Sequence, residues 1–557
     1  MRVNKNMNNL YHYIQMHADN LSGKPAIVFK DTTVSYSQLD GFTQKVRNWV
    51  EEQNIEKGRI GFIFLPQTPQ AIMWFFGLMS AGIVPSLMPL PSHKQDEKKY
   101  WESHQQLIEL TNPSLVVTTS EWLSAFEDIT ENIECTVHDN ELLDSYTPNE
   151  SIEDTRGEIA FLQHSSGTTG LKKGVALSHT AVIDQIESYS QSLFATSDDV
   201  VVSWLPIYHD MGLIACTIMP LVLGQTIVLL DPFEWVSKPI SLLQAITDNH
   251  GTLVWLPNFG FEHLRRTIKS KKFIGLDLSS VRAFINCSEP CKAETFHRFT
   301  DHFNEVGVTL EKLQVCYAMA ETVYAVTQTK VGEVASKIWV DDKALLDNKV
   351  QLTTAENGVQ LLSCGKVIDG CQVTILHPDS NKTADSDQFG EIVISGRFLF
   401  NGYYHRPEKT EEVFDGTSYR TRDLGFIHAG ELYVLGRQDD LIISNGRNYF
   451  AHEIEQHVNA LSDIKAGRNV ALGIYNDQIG SNEIYLVQER FQDQSVDDKL
   501  EKEIVKIIRQ TVQDNMGLLL RDVILVEPSW LHKSSSGKIS RNLNKSKLLT
   551  FLNKHKE

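Results

Sequence analysis

FLQHSSGTTGLKKG, residues Phe161 to Gly174, is the most informative stretch of this 557-residue chain. Its apolar start reads as a β-strand. Five small hydroxyl or glycine residues then run from Ser165 through Ser166, Gly167 and Thr168 to Thr169, closed by Gly170. Glycines let the backbone approach a ligand closely, and N–H and hydroxyl groups there donate to phosphate oxygens. Lys172 and Lys173 follow at once and add positive charge. The spacing GxxxxGK[ST] is absent, so this is not a Walker-type phosphate loop. The same residues also suit an ordinary polar turn, and the surrounding sequence has to weigh one reading against the other.

On its N-terminal side, short apolar runs alternate with longer amphipathic ones. Ile60–Leu65 reads as a buried strand, Gln70–Ala81 as a helix, and Leu115–Thr118 as a strand before another helical stretch. Beyond the loop, Thr226–Leu230 and Thr252–Leu256 read as further strands. Strands alternating with helices imply parallel sheets covered on both faces. Two long stretches, Ile60–Pro91 and Met211–Leu230, carry no charge. A membrane helix needs about 20 consecutive apolar residues. Here Pro66, Gln67, Pro69 and Gln70 interrupt the first stretch, and Pro220, Gly224 and Gln225 the second, so both read as buried strand-helix-strand core with no transmembrane segment. The N-terminal residues are too polar for a signal peptide.

Past about Ser380 the pattern changes to short strands separated by glycine-containing turns, a β-rich segment. From about Ser495 it returns to helix (Val496–Met516), strand (Asp522–Glu527) and helix (Arg541–Asn553). A boundary near Arg437–Asp440 divides the chain into residues 1–437 and 438–557. The net charge of −19 disfavours binding to nucleic-acid phosphates. Seven scattered cysteines without a CxxC pair indicate neither a zinc site nor a disulfide framework, and a reducing cytoplasm fits them.

Four further motifs carry polar chemistry. SWLPIYHDMGL (Ser203–Leu213) sets His209 and an acid beside an apolar run. YAMAET (Tyr317–Thr322) offers an aromatic ring for a base and, in Glu321, an oxygen ligand for a divalent cation. YRTRDLG and LGRQDDLI put Asp423 and Arg437 on the two arms of an expected hairpin, able to clasp ribose hydroxyls or to form a plain surface ion pair. HKSSSGKISR (His532–Arg541) holds Lys538 in a Ser/Gly loop. HEIEQH (His452–His457) is rejected as a zinc-protease motif because its histidines are five apart rather than four.

Taken together, the order and spacing of these motifs resemble the adenylate-forming superfamily of acyl-CoA ligases, acyl-AMP ligases, luciferases and adenylation domains, over essentially the whole chain. WLPIYHDMGLI (Trp204–Ile214), LPNFGFE (Leu256–Glu262), INCSEP (Ile285–Pro290), YAMAET and DLIISNGRNYFAHEIE (Asp440–Glu455) are similar to the fatty acyl-AMP ligase branch. Val340–Leu362, ahead of SCGK (Ser363–Lys366), resembles the insertion that marks that branch.

The resemblance implies a large N-terminal α/β domain of mixed sheets with covering helices and a β-rich subdomain, plus a small mobile α+β C-terminal domain. It implies an enzyme that uses ATP and Mg²⁺ to join a fatty acid to AMP and passes the acyl group to a separate acyl carrier protein. The alternatives are an acyl-CoA ligase and an inactive nucleotide- or lipid-binding regulator. By resemblance, Ser165–Gly174 holds the β- and γ-phosphates with Lys173. Glu321 binds Mg²⁺, with Thr322 beside it. Tyr317 stacks on adenine near Ser288, Glu289, Pro290, Ala318 and Met319. Asp423 binds ribose with the help of Arg437. His209 lies near the substrate carboxylate, Lys538 contacts both reacting groups, and Asp439 is the hinge between the domains. The chain departs from the family pattern at Lys172 (usually proline), Cys287, Ala318 and Arg422 (usually glycine) and His532 (usually proline). The segment Leu531–Glu557 carries seven Lys or Arg and one acid, which suits either an acidic carrier protein or a solvated helix end.

Overall fold

The computed structural model describes residues 9–91, 97–139, 159–164, 172–355, 358–377, 382–385, 388–444, 447–461, 464–476, 478–479, 481–490, 498–533 and 539–554. Among these, the largest sheet has nine strands. Its six central strands are parallel, in the spatial order Pro25–Phe29, Thr226–Leu229, Val200–Ser203, Leu253–Leu256, Ala283–Asn286 and Leu313–Ala318. Antiparallel strands close both edges: Thr32–Ser35 on one side, Ala325–Gln328 and Lys366–Val367 on the other. Leu253–Leu256 and Ala283–Asn286 are buried at every residue, which is why they read as continuous apolar runs rather than alternating ones.

A second sheet is wholly parallel: Val84–Leu87, Ile60–Ile63, Leu115–Thr118 and Thr136–Asp139. The expected helix after Ile60–Leu65 is Pro69–Ser80, and every residue in it except Gln70 is buried. Trp74 sets its ring edge-on to Trp49 at 5.7 Å. The charge-free stretch is therefore core. Among the described residues, no helix is long and apolar enough to cross a membrane.

Helix Pro69–Ser80 can lie this close to helix Tyr36–Glu52 because Gly77 faces Val46. A Cβ at Gly77 would stand 2.6–2.8 Å from the Val46 side chain.

The β-rich segment is an antiparallel sheet of Cys371–Leu376, Gly390–Gly396, Ser418–His428, Phe414–Asp415 and Glu431–Arg437. The tail forms a three-stranded sheet of Asn469–Asn476, Ser481–Glu489 and Asp522–Val526. Alternate residues of its strands face opposite ways. Ala471, Ile484, Leu486 and Val523 pack with helices Ala451–Asn459 and Asp498–Met516, while Val470, Leu472, Val487 and Val526 pack with helix Arg541–Lys554. The segment Val340–Leu362 spans a short helix, Asp342–Leu346, and the strand Gly358–Leu362, which pairs with Lys337–Asp341. Val340 and Leu345 share one buried cluster with Phe389, Leu424, Phe426, Tyr433 and Phe450.

Alanine is the better helix former by about 1 kcal/mol, yet Gly77→Ala should destabilise the protein by about 1–3 kcal/mol because the added methyl overpacks the helix contact. Urea unfolding would check this, and the double variant with Val46→Ala should lose less than the sum of the two single losses.

Candidate active site

In open α/β sheets, ligands bind beyond the carboxyl ends of the parallel strands. Next to that end of the strand Leu313–Ala318 stands Tyr317, whose hydroxyl donates to Asp423 Oδ2 at 2.5 Å. Asp423 and Arg437 are direct partners across the expected hairpin, and Arg437 Nε stands 3.3 Å from Asp423 Oδ1. One nearly buried carboxylate thus joins the aromatic ring to the arginine. Burial and the Asp423 charge push the Tyr317 phenol well above its ordinary value, so it remains a donor. Ionised Asp423 is an acceptor only, with lone pairs for ribose hydroxyls as well.

Just past this strand, Glu321 Oε1 accepts the Tyr403 hydroxyl at 2.8 Å, and the Glu321 carbonyl accepts Phe400 N at 2.9 Å. Lys173 Nζ lies 4.6 Å from the centre of the Tyr403 ring. Burial raises the Glu321 carboxyl above its ordinary 4.5, partly opposed by the Tyr403 hydrogen bond and the charge of Arg437. Burial lowers Lys173, and Glu321 pulls it back up. Lys173, Tyr403 and Glu321 therefore act on one another. A carboxylate whose charge is disfavoured by burial gains from a divalent cation, so the site fits Mg²⁺, a hard ion taken by oxygen ligands.

His209 Nδ1 is 2.5 Å from Asp210 Oδ1, which also accepts Met211 N at 2.8 Å and so caps the wide-turned helix Met211–Ile218. The loop before it folds back on itself at Gly212, where a Cβ would stand 2.2 Å from Pro206 O. The Met211 sulfur reaches Ser288 Oγ at 4.0 Å, and the Asp210 charge acts on Glu321. Ser288 adopts φ +69°, and Glu289 Oε2 accepts Phe259 N at 2.9 Å. Pro290 is exposed, and Ala318 and Met319 are half-buried. Thr322 is fully buried, and its hydroxyl donates to Tyr324 O (2.9 Å) and Met319 O (3.1 Å).

Ser165, Ser166, Gly167, Thr168, Thr169, Gly170 and Lys538 lie outside the described residues. The chain around the Ser/Gly/Thr run is defined, with His164 paired to Gly174 across the strands Ile159–His164 and Gly174–Ser178. Burial draws Lys172 down to about 8, and burial together with its charge holds His104 and His164 at about 3, so both imidazoles are neutral at pH 7. Cys287 is fully buried beside the thiol of Cys316. Arg422, at φ +61°, meets Asp439 Oδ1 at 2.5 Å. Beyond Asp439, Arg541 Nε donates to Asp440 Oδ1 at 2.6 Å and Nη2 to Glu455 Oε2 at 2.9 Å.

Tyr403 and Phe400 are missing from the sequence-based site. Nothing local marks one of two adjacent tyrosines in NGYYHRP, and their partner Glu321 is 82 residues from Tyr403.

The chain matches the AMP-binding enzyme family over residues 14–404. It belongs to that family. Among AMP-binding enzymes, a medium-chain fatty acid–acyl-carrier-protein ligase of Moorena producens (strain JHB) is 30% identical over 93% of this chain and 90% of its own length. A putative fatty acid–CoA ligase of Mycobacterium tuberculosis is 28% identical over 92% of this chain and 91% of its own. A solved fatty acyl-adenylate ligase from L. pneumophila, in complex with acyl adenylate and pyrophosphate, superposes with a TM-score of 0.73 at 27% identity, covering 97% of this chain and 96% of that one. The matched range includes Lys173, Glu321 and Tyr403, while Asp423 and Arg437 lie beyond it.

Glu321→Gln should reduce turnover by about 10²–10³-fold, as expected when one preorganised electrostatic group is removed. A carboxyl whose folded pKa is raised contributes stability below its unfolded pKa and loses it as pH rises through the folded value. The Glu321→Gln apoprotein should therefore melt about 1–3 °C above the parent at pH 7, and the gap should narrow as the pH is lowered toward 4.5. Scanning calorimetry at several pH values would check this.

Proposed function

We propose that the chain is a fatty acyl-AMP ligase. A fatty acid carboxylate attacks the α-phosphorus of ATP, an oxygen–phosphorus bond forms, and pyrophosphate leaves with the electron pair. The acyl group then passes to the phosphopantetheine thiol of a separate acyl carrier protein, and AMP is released. The observation that carries this reading is the convergence of Lys173, Glu321, Tyr317, Asp423 and Arg437 at one end of the central sheet. A regulator that had lost the chemistry would have no need to keep these charged groups together.

In-line displacement at phosphorus is catalysed chiefly by alignment and charge stabilisation. Tyr317 and Asp423 would orient the adenosine, and Lys173 would lie against the departing phosphates. Mg²⁺ on Glu321 would supply charge neutralisation there. His209, fixed by Asp210, would face the attacking carboxylate, and Lys538 would contact both groups. We further propose that residues 1–437 and 438–557 form two domains, a division supported by the separate core that Ile442, Ile454, Leu486 and Ile508 help to build. Rotation about Asp439 would carry Lys538 out and admit the thiol. The segment Val340–Leu362 supports a carrier acceptor over CoA, because Val340 and Leu345 pack with Phe450 across the proposed boundary and would restrain that rotation. A reducing cytoplasm suits seven free thiols.

The test supplies ATP, Mg²⁺ and dodecanoic acid, then CoA or a phosphopantetheinylated carrier protein, and separates the products. Acyl-AMP should accumulate with CoA and be consumed by the carrier. Rapid acyl-CoA formation would make the chain a CoA ligase and overturn the reading of the insertion. ATP binding without adenylate at any chain length would favour the regulator.

A further inference from the structure

Val323, two residues after Glu321, has φ +63° and ψ −60°. A β-branched residue almost never occupies that region. Tyr324 N donates to Thr322 O at 2.7 Å, closing a three-residue ring around Val323. This is the γ-turn with positive φ, the rarer and strained of the two kinds. Of the non-glycine residues with positive φ among those described, Val323 alone is β-branched. A strained turn persists only where its surroundings over-determine it.

Those surroundings are visible. Val323 is fully buried in the main core. Val323 N donates to Ala320 O (3.0 Å), and Met319 N to Tyr324 O (2.9 Å). The Thr322 hydroxyl donates to that same Tyr324 carbonyl at 2.9 Å. Tyr324 N is also within 3.2 Å of Gln185 Oε1, a side chain buried on helix His179–Ser192. That helix follows the strand Gly174–Ser178, which begins directly after Lys173. The loop Met319–Tyr324 is thereby held closed around Glu321 and braced against the helix that Lys173 leads into through one short strand.

We propose that Val323 is a positioning residue whose strained turn, braced by Gln185, fixes the Glu321 carboxylate against Lys173 and Tyr403. Glycine would accept the same φ without strain but would also let the loop relax into other shapes. Valine, with its branched side chain packed in the core, leaves one arrangement. The role of Glu321 toward the metal-bound triphosphate rests on the function proposed above, and the test separates the two.

Calorimetric affinities for MgATP and for AMP would be measured for the parent, Val323→Gly and Val323→Ile, together with melting temperature. AMP reports the adenine and ribose groups Tyr317 and Asp423, whereas MgATP also reports Glu321. Val323→Gly should lose about tenfold or more in MgATP affinity and less than threefold in AMP affinity, with a melting temperature within a few degrees of the parent. Val323→Ile should stay within threefold of the parent for both ligands. Unchanged MgATP affinity in Val323→Gly, or equal losses for both ligands, would overturn the proposal. If Val323→Gly does not fold, Gln185→Met removes the Tyr324 brace at nearly constant volume and should weaken MgATP at least threefold while sparing AMP. Equal effects on both, or none, would overturn it as well. These affinities need no fatty acid, so a parent that binds MgATP but makes no acyl-AMP would sink the function proposed above and leave this inference to be judged on binding.

Discussion

Glu321 holds a negative charge where burial disfavours it, and much of the site is arranged around that fact. One carboxylate oxygen takes the Tyr403 hydroxyl, the residue's carbonyl takes Phe400 N, and Lys173 stands over the Tyr403 ring. These partners come from three separate parts of the chain. Lys173 directly precedes the strand Gly174–Ser178, Glu321 follows a central parallel strand, and Tyr403 lies on the short strand Gly402–Tyr403 that pairs with Gly174–Ser178. That pairing brings Tyr403 and Lys173 side by side. The resulting group joins a buried carboxylate, a phenol and an ammonium drawn from distant parts of the chain.

Three of the twelve non-glycine residues with positive φ among those described lie close to the site carboxylates. Ser288, Val323 and Arg422 all have positive φ, and each is within two residues of a site carboxylate: Glu289, Glu321 or Asp423. Such conformations persist where neighbouring packing and hydrogen bonds enforce them, and they aim side chains that relaxed loops would leave free. At Arg422 the enforcement is partly electrostatic, since its backbone N–H donates to buried Glu391. Its guanidinium then reaches Asp439. Exposed pairs of this kind are worth under about 1 kcal/mol, so the backbone contact with Glu391 holds Arg422 more firmly than the ion pair does. The Arg541 pairing with Asp440 and Glu455 is much less exposed.

The comparison of sequence with structure is clearest element by element. Leu115–Thr118 is found as expected, and Pro69–Ser80 and Leu253–Leu256 lie within a residue of their expected ends. These are short apolar runs buried on all sides, whose pattern survives any tertiary setting. The Asp423–Arg437 hairpin was legible for the same reason: turn residues and alternation fix its register locally. Tyr317 meeting Asp423 was not legible, because 106 residues separate them and no local rule relates their strands.

The sequence by itself therefore determined the alternating α/β plan, the buried nature of its charge-free stretches and the residue types able to bind a nucleotide. Each of these depends on hydrophobic periodicity or on the chemistry of a side chain, and both are local properties. Only the tertiary structure decided which residues share a charge: Tyr403 with Glu321, Tyr317 with Asp423, Arg422 with Asp439. It alone decided that Thr322 spends its hydroxyl on backbone carbonyls and that Val323 bears the strain. Hydrogen bonds and ion pairs act over a few ångströms of space without regard to separation along the chain, so their partners exist only once the sheets have set the strand ends beside one another.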